Sequence, residues 1–380
     1  MYKKIDGEKM KISKVTKLCF LVGLVLGTVI AISGSILMNN RENYQASSSL
    51  SVKTSTIMSP IYIDDLDPNN NWDMFISENP GYLGTGEVGD PYIIYGGIID
   101  AKGGSTGITI KNSDALFQID SCTFFNTSQY DISAGIYLEN VSYGFIMNSD
   151  FYNNGFFGIE VINSTFLQIR GNSFHNNLGT GIYLGGTSII TIAENNINNH
   201  NGNGIELYNS LEISVVGNNV SYSNYYGIFL LDTNDTEILD NRISHNFDGI
   251  ALINSNHNTI RLNTISYSEE NGILIQDYSN YNSIKDNMVF QALYYISIGN
   301  SSYGTYLLNN EPSLIRRFED IPLPDPPSNG TINDESDERL GIPGYNAIFF
   351  VSITFAIIIS TTMANKRMKT IRDSQNHKEF

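Results

Sequence analysis

The sequence predicts an all-β solenoid, in which the chain winds into stacked coils of short strands. Three observations support this fold: a glycine that recurs at a fixed interval, a strand-like alternation after it, and asparagines at two fixed places. The glycines are 23, 23, 23, 23, 22 and 23 residues apart, at Gly135, Gly158, Gly181, Gly204, Gly227, Gly249 and Gly272. A fixed period of about 20 to 50 residues is typical of stacked repeats.

The residues after each glycine alternate as in a strand. With the glycine as place 1, isoleucine stands at place 2 and an aliphatic residue usually at place 4. Period-2 alternation indicates a strand with one buried face, and the other apolar runs are too short for helices. We expect the glycine to lie in a turn with positive φ. We expect one buried column of Ile136, Ile159, Ile182, Ile205, Ile228, Ile250 and Ile273.

Asparagine recurs at place 6 and near place 15. Equivalent residues of stacked coils lie ~4.8 Å apart, so their amides should hydrogen-bond as ladders that hold the corners. We expect the place-6 corners to be buried. The place-6 series is Asn140, Asn163, Asn209, Asn254 and Asn300. The second series is Asn172, Asn195, Asn218, Asn241 and Asn263.

A leucine-rich repeat is the main alternative, because its period overlaps and it also carries an asparagine ladder. Leucine does not dominate here, and each coil has two asparagine places. The segments between them are rich in Ser, Thr, Asn, Tyr and Ile, which are not strong helix formers. The pattern therefore favours strands throughout.

The coils resemble the right-handed parallel β-helix repeats of the NosD-like and pectate-lyase-like families, which are often found in archaeal surface proteins. The segment "GTGEVGDPYIIYGGIIDAKGGSTGITIKNSDALFQIDSCTF", residues 84–124, resembles the usual start of such a domain. The resemblance implies a right-handed parallel β-helix of about nine coils over residues 107–310. It implies no activity, because the same fold carries lyases, hydrolases, epimerases, adhesins and scaffolds.

Both ends of the chain have the composition of membrane segments. A lysine-rich start precedes an apolar run at residues 18–38, so residues 1–38 are a candidate signal peptide or signal-anchor helix. Residues 345–364 are a candidate transmembrane helix, followed by a basic tail at 365–380. The positive-inside rule then places both basic flanks in the cytoplasm and the coils outside the cell. The triplet Pro343-Gly344-Tyr345 makes this tail similar to archaeal C-terminal sorting signals.

The remaining segments are a polar linker at 39–59, an N-terminal cap with the first strands at 60–106, and a C-terminal cap with an acidic, proline-rich tether at 311–344. We expect Trp72 and the apolar residues 314–318 to cover the strand edges at the two ends of the stack. Residues 39–364 carry 11 basic and 35 acidic residues, a net charge of −24. Nucleic acid is not expected as a partner, because its binding requires a basic surface.

No cofactor or metal is expected. Four of the histidines fall at different places of the coil, so they make no ladder, and nothing supports the copper role that the NosD resemblance would suggest. Asp65, Asp67 and Asn69 alternate like the start of a calcium loop, but the later glycine and glutamate of that loop are missing. An Asx-rich turn is the favoured interpretation, with calcium as the alternative.

No catalytic motif is present. Glu160 and Glu206 share place 3 two coils apart, with Tyr183 between them. Two coils correspond to ~9.6 Å, near the upper limit for the carboxyls of an inverting glycosidase. Two acids that share a register by chance in an acidic protein are the favoured interpretation, and we assign no catalytic residue.

Places 3 and 5 should point outward, because places 2 and 4 point inward. They carry aromatic rings beside carboxylates, a combination that suits glycans. The candidate ligand-binding residues are Tyr137, Glu160, Tyr183, Glu206, Tyr208 and Phe229. The strip becomes apolar in later coils, where another part of the chain or a second copy could cover it. The sequence thus predicts a membrane-anchored extracellular protein that binds glycans or protein partners without catalysis, with a polysaccharide hydrolase, lyase or epimerase as the alternative.

Overall fold

The computed structural model describes residues 56–318, apart from residues 83, 105 and 130–132. This part of the chain forms three parallel sheets and one short helix, α1 (Trp72–Glu78). The sheets contain ten, eleven and ten strands, which we number in chain order and assign to sheets A, B and C. The all-β solenoid predicted from the sequence is confirmed.

Sheet A consists of β1 (Thr56–Met58), β4 (Gly97–Asp100), β7 (Thr123–Phe125), β10 (Asp150–Tyr152), β13 (Ser173–His175), β16 (Asn196–His200), β19 (Asn219–Ser223), β22 (Arg242–Ser244), β25 (Thr264–Ser266) and β28 (Met288–Phe290). Sheet B consists of β2 (Ile61–Asp64), β5 (Thr106–Ser113), β8 (Ala134–Val141), β11 (Phe157–Ile162), β14 (Ile182–Gly185), β17 (Ile205–Tyr208), β20 (Tyr226–Leu231), β23 (Asp248–Ile253), β26 (Asn271–Gln276), β29 (Tyr294–Gly299) and β31 (Ile315–Phe318). Sheet C consists of β3 (Tyr92–Tyr95), β6 (Phe117–Asp120), β9 (Gly144–Met147), β12 (Gln168–Arg170), β15 (Thr191–Ala193), β18 (Ser214–Val216), β21 (Glu237–Leu239), β24 (Thr259–Arg261), β27 (Ser283–Lys285) and β30 (Tyr306–Leu308).

The chain runs from sheet A to B to C and then returns to A one coil further on. The solenoid has about ten turns, where the sequence predicted about nine. The difference arises before residue 107, because β1 pairs with β4 and β3 pairs with β6 in the same parallel register as later coils. These strands lack the period-23 glycine, so the repeat pattern did not reveal them. β1 also lies inside the predicted linker, and β31 extends sheet B beyond residue 310.

The place-2 isoleucines form the predicted buried column. All seven are fully buried, and neighbouring strands pair them in register, as Ile159 pairs with Ile136 and Ile182. Phenylalanines stack beside them inside the early coils, with ring centroids 4.8 Å apart for Phe124 and Phe151. Each strand buries one face, so stacking joins the coils into one continuous core.

The place-1 glycines do not adopt positive φ, so the turn prediction was wrong. Their role is close packing between coils. A Cβ on Gly227 would lie 2.6 Å from the carbonyl oxygen of Gly249 and 2.6 Å from Cγ2 of Ile243. At the other six glycines, the carbonyl oxygen one coil further on would lie 2.5 to 2.7 Å from an added Cβ. No larger residue fits this position without moving the backbone.

The place-6 asparagines are exposed, so the prediction of buried corners was wrong. Asn140, Asn163, Asn209 and Asn254 instead turn the chain with φ between 46° and 54°. Asparagine tolerates this left-handed region better than most residues, because its short side chain can hydrogen-bond locally. Some of these side chains also form hydrogen bonds between coils. Asn254 Nδ2 donates to Asp232 Oδ1, one coil earlier, at 2.6 Å. Their recurrence therefore reflects backbone conformation more than burial.

Replacing Asn209 with valine is expected to lower the free energy of unfolding by about 1–2 kcal/mol, because a β-branched residue is strained in the left-handed region. Replacing it with glycine should change stability little, because glycine accepts positive φ freely. Urea unfolding of both variants measures the effect. Equal stability of the two variants would contradict the conformational explanation.

The second asparagine series forms a buried ladder. Asn172, Asn195, Asn218, Asn241 and Asn263 are at most 2% exposed. From Asn195 onward, each Oδ1 accepts from the backbone N–H and the Nδ2 of the asparagine one coil earlier, as Asn218 does from Asn195 at 2.9 Å for both bonds. Asn172 Oδ1 begins the ladder by accepting from the backbone N–H of Ser149 at 2.9 Å. The ladder continues to Asn287 and Asn310, which the sequence analysis missed because one coil has 24 residues between equivalent asparagines.

A third column, of serine and threonine, was not predicted. These buried residues follow the place-6 corner, and every hydroxyl except that of Thr187 accepts from a backbone N–H one coil earlier, as Ser210 accepts from Thr187 at 3.2 Å. The column contains Ser164, Thr187, Ser210, Thr233, Ser255, Ser279 and Ser302. Sheet B is thus bordered by a polar column that satisfies backbone donors where the chain leaves the strand.

The N-terminal end of the stack is covered by α1. Asn71 caps this helix by accepting from the backbone N–H of Met74 at 2.9 Å. Trp72 is buried, stacks on Tyr92 with ring centroids 4.6 Å apart, and donates from Nε1 to Ser113 Oγ at 3.2 Å. The helix therefore shields the first coil from solvent.

The part of the chain that the structure describes contains no helix long and apolar enough to cross a membrane. The predicted membrane segments at 18–38 and 345–364, and the tail at 365–380, lie outside the described residues.

Candidate functional site

The structure places all six candidate ligand-binding residues on the outer face of sheet B. Tyr137, Glu160, Tyr183, Glu206 and Phe229 are neighbours in consecutive strands from β8 to β20. Tyr208 lies two residues after Glu206 in β17, on the same face. This arrangement follows from the strand alternation, which turns places 2 and 4 into the core.

Only half of these residues are open to solvent. Tyr137, Glu206 and Tyr208 are half-buried, whereas Glu160, Tyr183 and Phe229 are 3%, 7% and 8% exposed. Three of the six candidate residues are therefore covered, although the strand alternation turns them outward.

Aromatic residues at the start of the strands bury the first part of the outer face. Tyr183 packs in a cluster with Ala134, Phe157 and Ile162, and the rings of Phe157 and Tyr183 are 5.1 Å apart. Tyr137 and Tyr208 pack against the edge of this cluster. The sequence analysis counted outward positions in the strands but not the rings that precede the glycines.

The later part of the outer face is a small apolar core of its own. Phe229 stacks on Tyr226 at 4.5 Å and packs with Ala251, Ile253 and Leu274, all of which are buried. These side chains are buried within a single chain, which favours a structural role for the apolar end. The candidate residues that stay half-buried are Tyr137 in β8 and, three strands further on, Glu206 and Tyr208 in β17.

Glu160 is a buried carboxyl without a hydrogen-bond partner among the described residues. Burial raises its pKa to about 8, and the nearby charge of Glu139 adds to the shift. The group is therefore mainly neutral at pH 7. Asp248, in β23, is also buried, and desolvation raises its pKa to about 7, although the backbone N–H and Nδ2 of Asn271 donate to it.

Glu206 is held in a fixed orientation. Asn203 Nδ2 donates to its Oε2 at 2.8 Å, and Thr180 Oγ1 donates to the same atom at 3.3 Å. Burial raises the pKa of Glu206, while these two bonds act in the opposite direction. The carboxyl thus has a fixed orientation, and Tyr208 lies two residues further along the same face of β17.

The geometry does not support Glu160 and Glu206 as a glycosidase pair. Tyr183 lies between them in register on the same face, so its ring occupies the space that a sugar would need. Burial raises the pKa of both carboxyls. A hydrolase needs an acid and a base whose pKa values are pushed apart.

The residues considered for calcium form the turn before α1. Asp67 Oδ1 accepts from the backbone N–H of Asn69 at 3.0 Å, and its Oδ2 accepts from Asn70 Nδ2 at 2.7 Å. Asp65 accepts from the backbone N–H of Trp72 at 3.3 Å. Their oxygens thus serve Asx-type turns. Among the described residues, no group of three or more histidine, cysteine or acidic side chains is placed to hold a metal ion.

Exposed aromatic residues also form a column at the corner after sheet A, which the sequence analysis missed. The rings of Tyr222 and His245 are 4.6 Å apart, and those of His245 and Tyr267 are 4.5 Å apart. The rings face one another, so their edges point to solvent. A sugar stacks on a free ring face, so this column is a poor platform for it.

The family described as "Right handed beta helix region" matches residues 106–221 and 161–311, which together exceed half of the chain. The chain belongs to the right-handed β-helix family. A search of curated proteins gave no match. The family assignment agrees with the three parallel sheets and concerns the coils alone.

Solved structures similar to this β-helix include carbohydrate-active enzymes. A mutant of the periplasmic alginate epimerase AlgG is 17% identical, with 60% of this chain and 62% of that chain covered and a TM-score of 0.41. The A-module of the Azotobacter vinelandii mannuronan C-5 epimerase AlgE6 is 13% identical, with 58% and 77% covered and a TM-score of 0.42. DFA-IIIase from Arthrobacter chlorophenolicus A6 without its lid is 12% identical, with 60% and 73% covered and a TM-score of 0.37. The β-helix thus spans less than two thirds of the AlgG chain, and these likenesses carry no functional argument.

Proposed function

We propose that this protein is a membrane-anchored extracellular β-helix module that binds glycans, or protein partners that carry similar groups, without catalysis. The observation that supports this most is the half-buried pair Glu206 and Tyr208 on the outer face of β17. The Glu206 carboxyl is held there by Asn203 and Thr180, and the Tyr208 ring lies on the same face of the strand. A ring can pack on the C–H face of a sugar while the oriented carboxyl accepts hydrogen bonds from its hydroxyls.

The membrane anchor is proposed from the sequence. The apolar segments 18–38 and 345–364, each with a basic flank, would hold the chain at both ends and place the coils outside the cell. The NosD-like character and the archaeal type of C-terminal sorting tail belong to the same proposal. The acidic region between the segments suits a soluble exterior and disfavours nucleic acid as a partner.

A carbohydrate-active enzyme is the second candidate. The observation that favours it is Glu160, because a buried carboxyl with a pKa raised to about 8 resembles a general acid. The position of Tyr183 and the absence of a well-placed base weigh against it. Release of new reducing ends or unsaturated products from a polysaccharide panel would establish this candidate and overturn the first.

The binding proposal is tested with the full chain on a panel of neutral and acidic oligosaccharides. Replacing Tyr208 with alanine is expected to weaken binding about tenfold, because a lost ring contact is worth about 0.5–1.5 kcal/mol beyond buried area. The matched control is Tyr95→Ala, at an exposed tyrosine of sheet C, and it should leave affinity unchanged. Wild-type protein that binds no member of the panel, or equal affinities of the two variants, would contradict the proposed surface.

A further inference from the structure

A buried histidine interrupts a hydrogen-bonded column where the chain passes from sheet A to sheet B. Equivalent positions in consecutive coils hold Asn154, Asn177, His200, Ser223 and Asn246. Asn177 Oδ1 accepts from the backbone N–H and Nδ2 of Asn154, both at 3.0 Å, and Asn246 Oδ1 accepts from the backbone N–H of Ser223 at 2.8 Å. His200 is 1% exposed, and neither of its ring nitrogens makes a hydrogen bond to any of the described residues.

A glycine lies against this imidazole. A Cβ on Gly181 would lie 2.9 Å from His200 Nε2. Part of the space that the ring occupies is therefore available because Gly181 has no side chain. A protonated imidazole donates two hydrogen bonds; backbone groups of Asn177 and Phe174 favour that form, but the desolvation of the buried ring outweighs them. Burial lowers the pKa of His200 to about 4.

Few ionisable groups face His200. The preceding corner, residues 176–181, contains none, and the following corner, residues 222–226, contains only tyrosines. His175, one coil earlier on the outer face of sheet A, adds a repulsion that also disfavours protonation of His200. Glu206, in the same coil, lies on the outer face of sheet B and accepts from Asn203 and Thr180. Among the described residues, no carboxylate thus compensates a charge on His200.

We propose that the corner at His200 is an acid-operated break in the solenoid, which opens between the coils that begin at Gly181 and Gly204. Protonation of the imidazole favours any state in which water can reach it. Each coil contacts only its neighbours, so a local opening divides the stack without unfolding it all. Thr180 and Asn203 flank this corner, so opening would also release Glu206 from its two donors.

The effect of pH on stability follows from the lowered pKa of His200. His200 is neutral in the closed corner, so stability is unaffected above the pKa of a free histidine, about 6.5, and is lost as pH falls towards about 4. Between pH 7.5 and pH 5, the opening equilibrium constant should rise roughly 30-fold.

Hydrogen exchange of the full chain measures this opening, after correction for the intrinsic effect of pH on exchange. Amides of residues 176–181 and 199–204 should exchange roughly 30-fold faster at pH 5 than at pH 7.5. In His200→Asn, whose amide can continue the column, this acceleration should disappear. His245→Asn, at an exposed corner, is the matched control and should behave as the wild type. Acceleration that persists in His200→Asn, or is absent from the wild type, would overturn the proposal.

A second measurement does not depend on a folded variant. Nuclear magnetic resonance of the wild-type histidine side chains should show His200 as neutral at pH 6, and a titration midpoint above 6 would overturn the proposal.

The link to ligand binding rests on the proposed function and is tested separately. Affinity for a glycan that the wild type binds should fall at pH 5 in the wild type but not in His200→Asn. If hydrogen exchange accelerates at pH 5 but glycan affinity does not fall, the acid-operated break is supported and only its link to binding is overturned.

Discussion

Gly227→Ala is expected to lower the free energy of unfolding by about 3 kcal/mol or more. The added methyl group would lie 2.6 Å from both the carbonyl oxygen of Gly249 and Cγ2 of Ile243, so the two coils must separate locally. Overpacking of a well-packed core costs typically about 1–3 kcal/mol, and contact with backbone leaves little room for relaxation. Thermal and urea unfolding of the variant measure the loss.

The matched control is Gly81→Ala. Gly81 does not have positive φ, and an added Cβ there would meet no atom within 4 Å. Its replacement should leave stability unchanged or raise it slightly, because alanine restricts the unfolded chain. Equal behaviour of Gly227→Ala and Gly81→Ala would show that the coils can adjust their spacing, against the packing argument.

Asn218→Ala is expected to cost about 3–4 kcal/mol, because it breaks the buried ladder at its centre. Asn218 Oδ1 accepts from two donors of Asn195, and Asn218 Nδ2 donates to the carbonyl oxygen of Ile192 at 2.9 Å and to Asn241 Oδ1 at 3.0 Å. Alanine would leave several buried groups without partners, each at a cost of about 1–3 kcal/mol. Calorimetry or urea unfolding measures this loss.

The adjacent residue Asn219 provides the control for Asn218. It is exposed and donates from Nδ2 to Asn196 Oδ1 at 2.9 Å. Asn219→Ala should therefore cost less than about 1 kcal/mol, since solvent replaces an exposed hydrogen bond. A loss of similar size for both variants would mean that burial of the ladder contributes little.

The repeat, the strands and the inner column could be predicted because they depend on local periodicity. A glycine every 23 residues and an isoleucine after it specify stacked coils, since alternation decides which side chains enter the core. The same reasoning failed before residue 107. Strands such as β1 and β3 pair in the same sheets without the repeated glycine.

The candidate site was predicted only in part. The position of each residue in the repeat correctly predicted that Tyr137, Glu206 and Tyr208 lie on the outer face of sheet B, because alternation alone determines the face of a strand. Their neighbours Glu160 and Tyr183 also point outward but are buried. Burial depends on rings such as Phe157, which precede the repeated pattern and fold over it.

The sequence by itself determined the coil period, the inner column of isoleucines and the asparagine positions, because each follows from residue identity at a fixed interval. Only the tertiary structure decided why the place-1 residues are glycines, which asparagines are buried, and which outward carboxyls lose solvent. Those properties depend on distances between side chains in adjacent coils. At Gly227 the deciding contact is with Gly249, one coil further along the solenoid, and no local pattern specifies its distance.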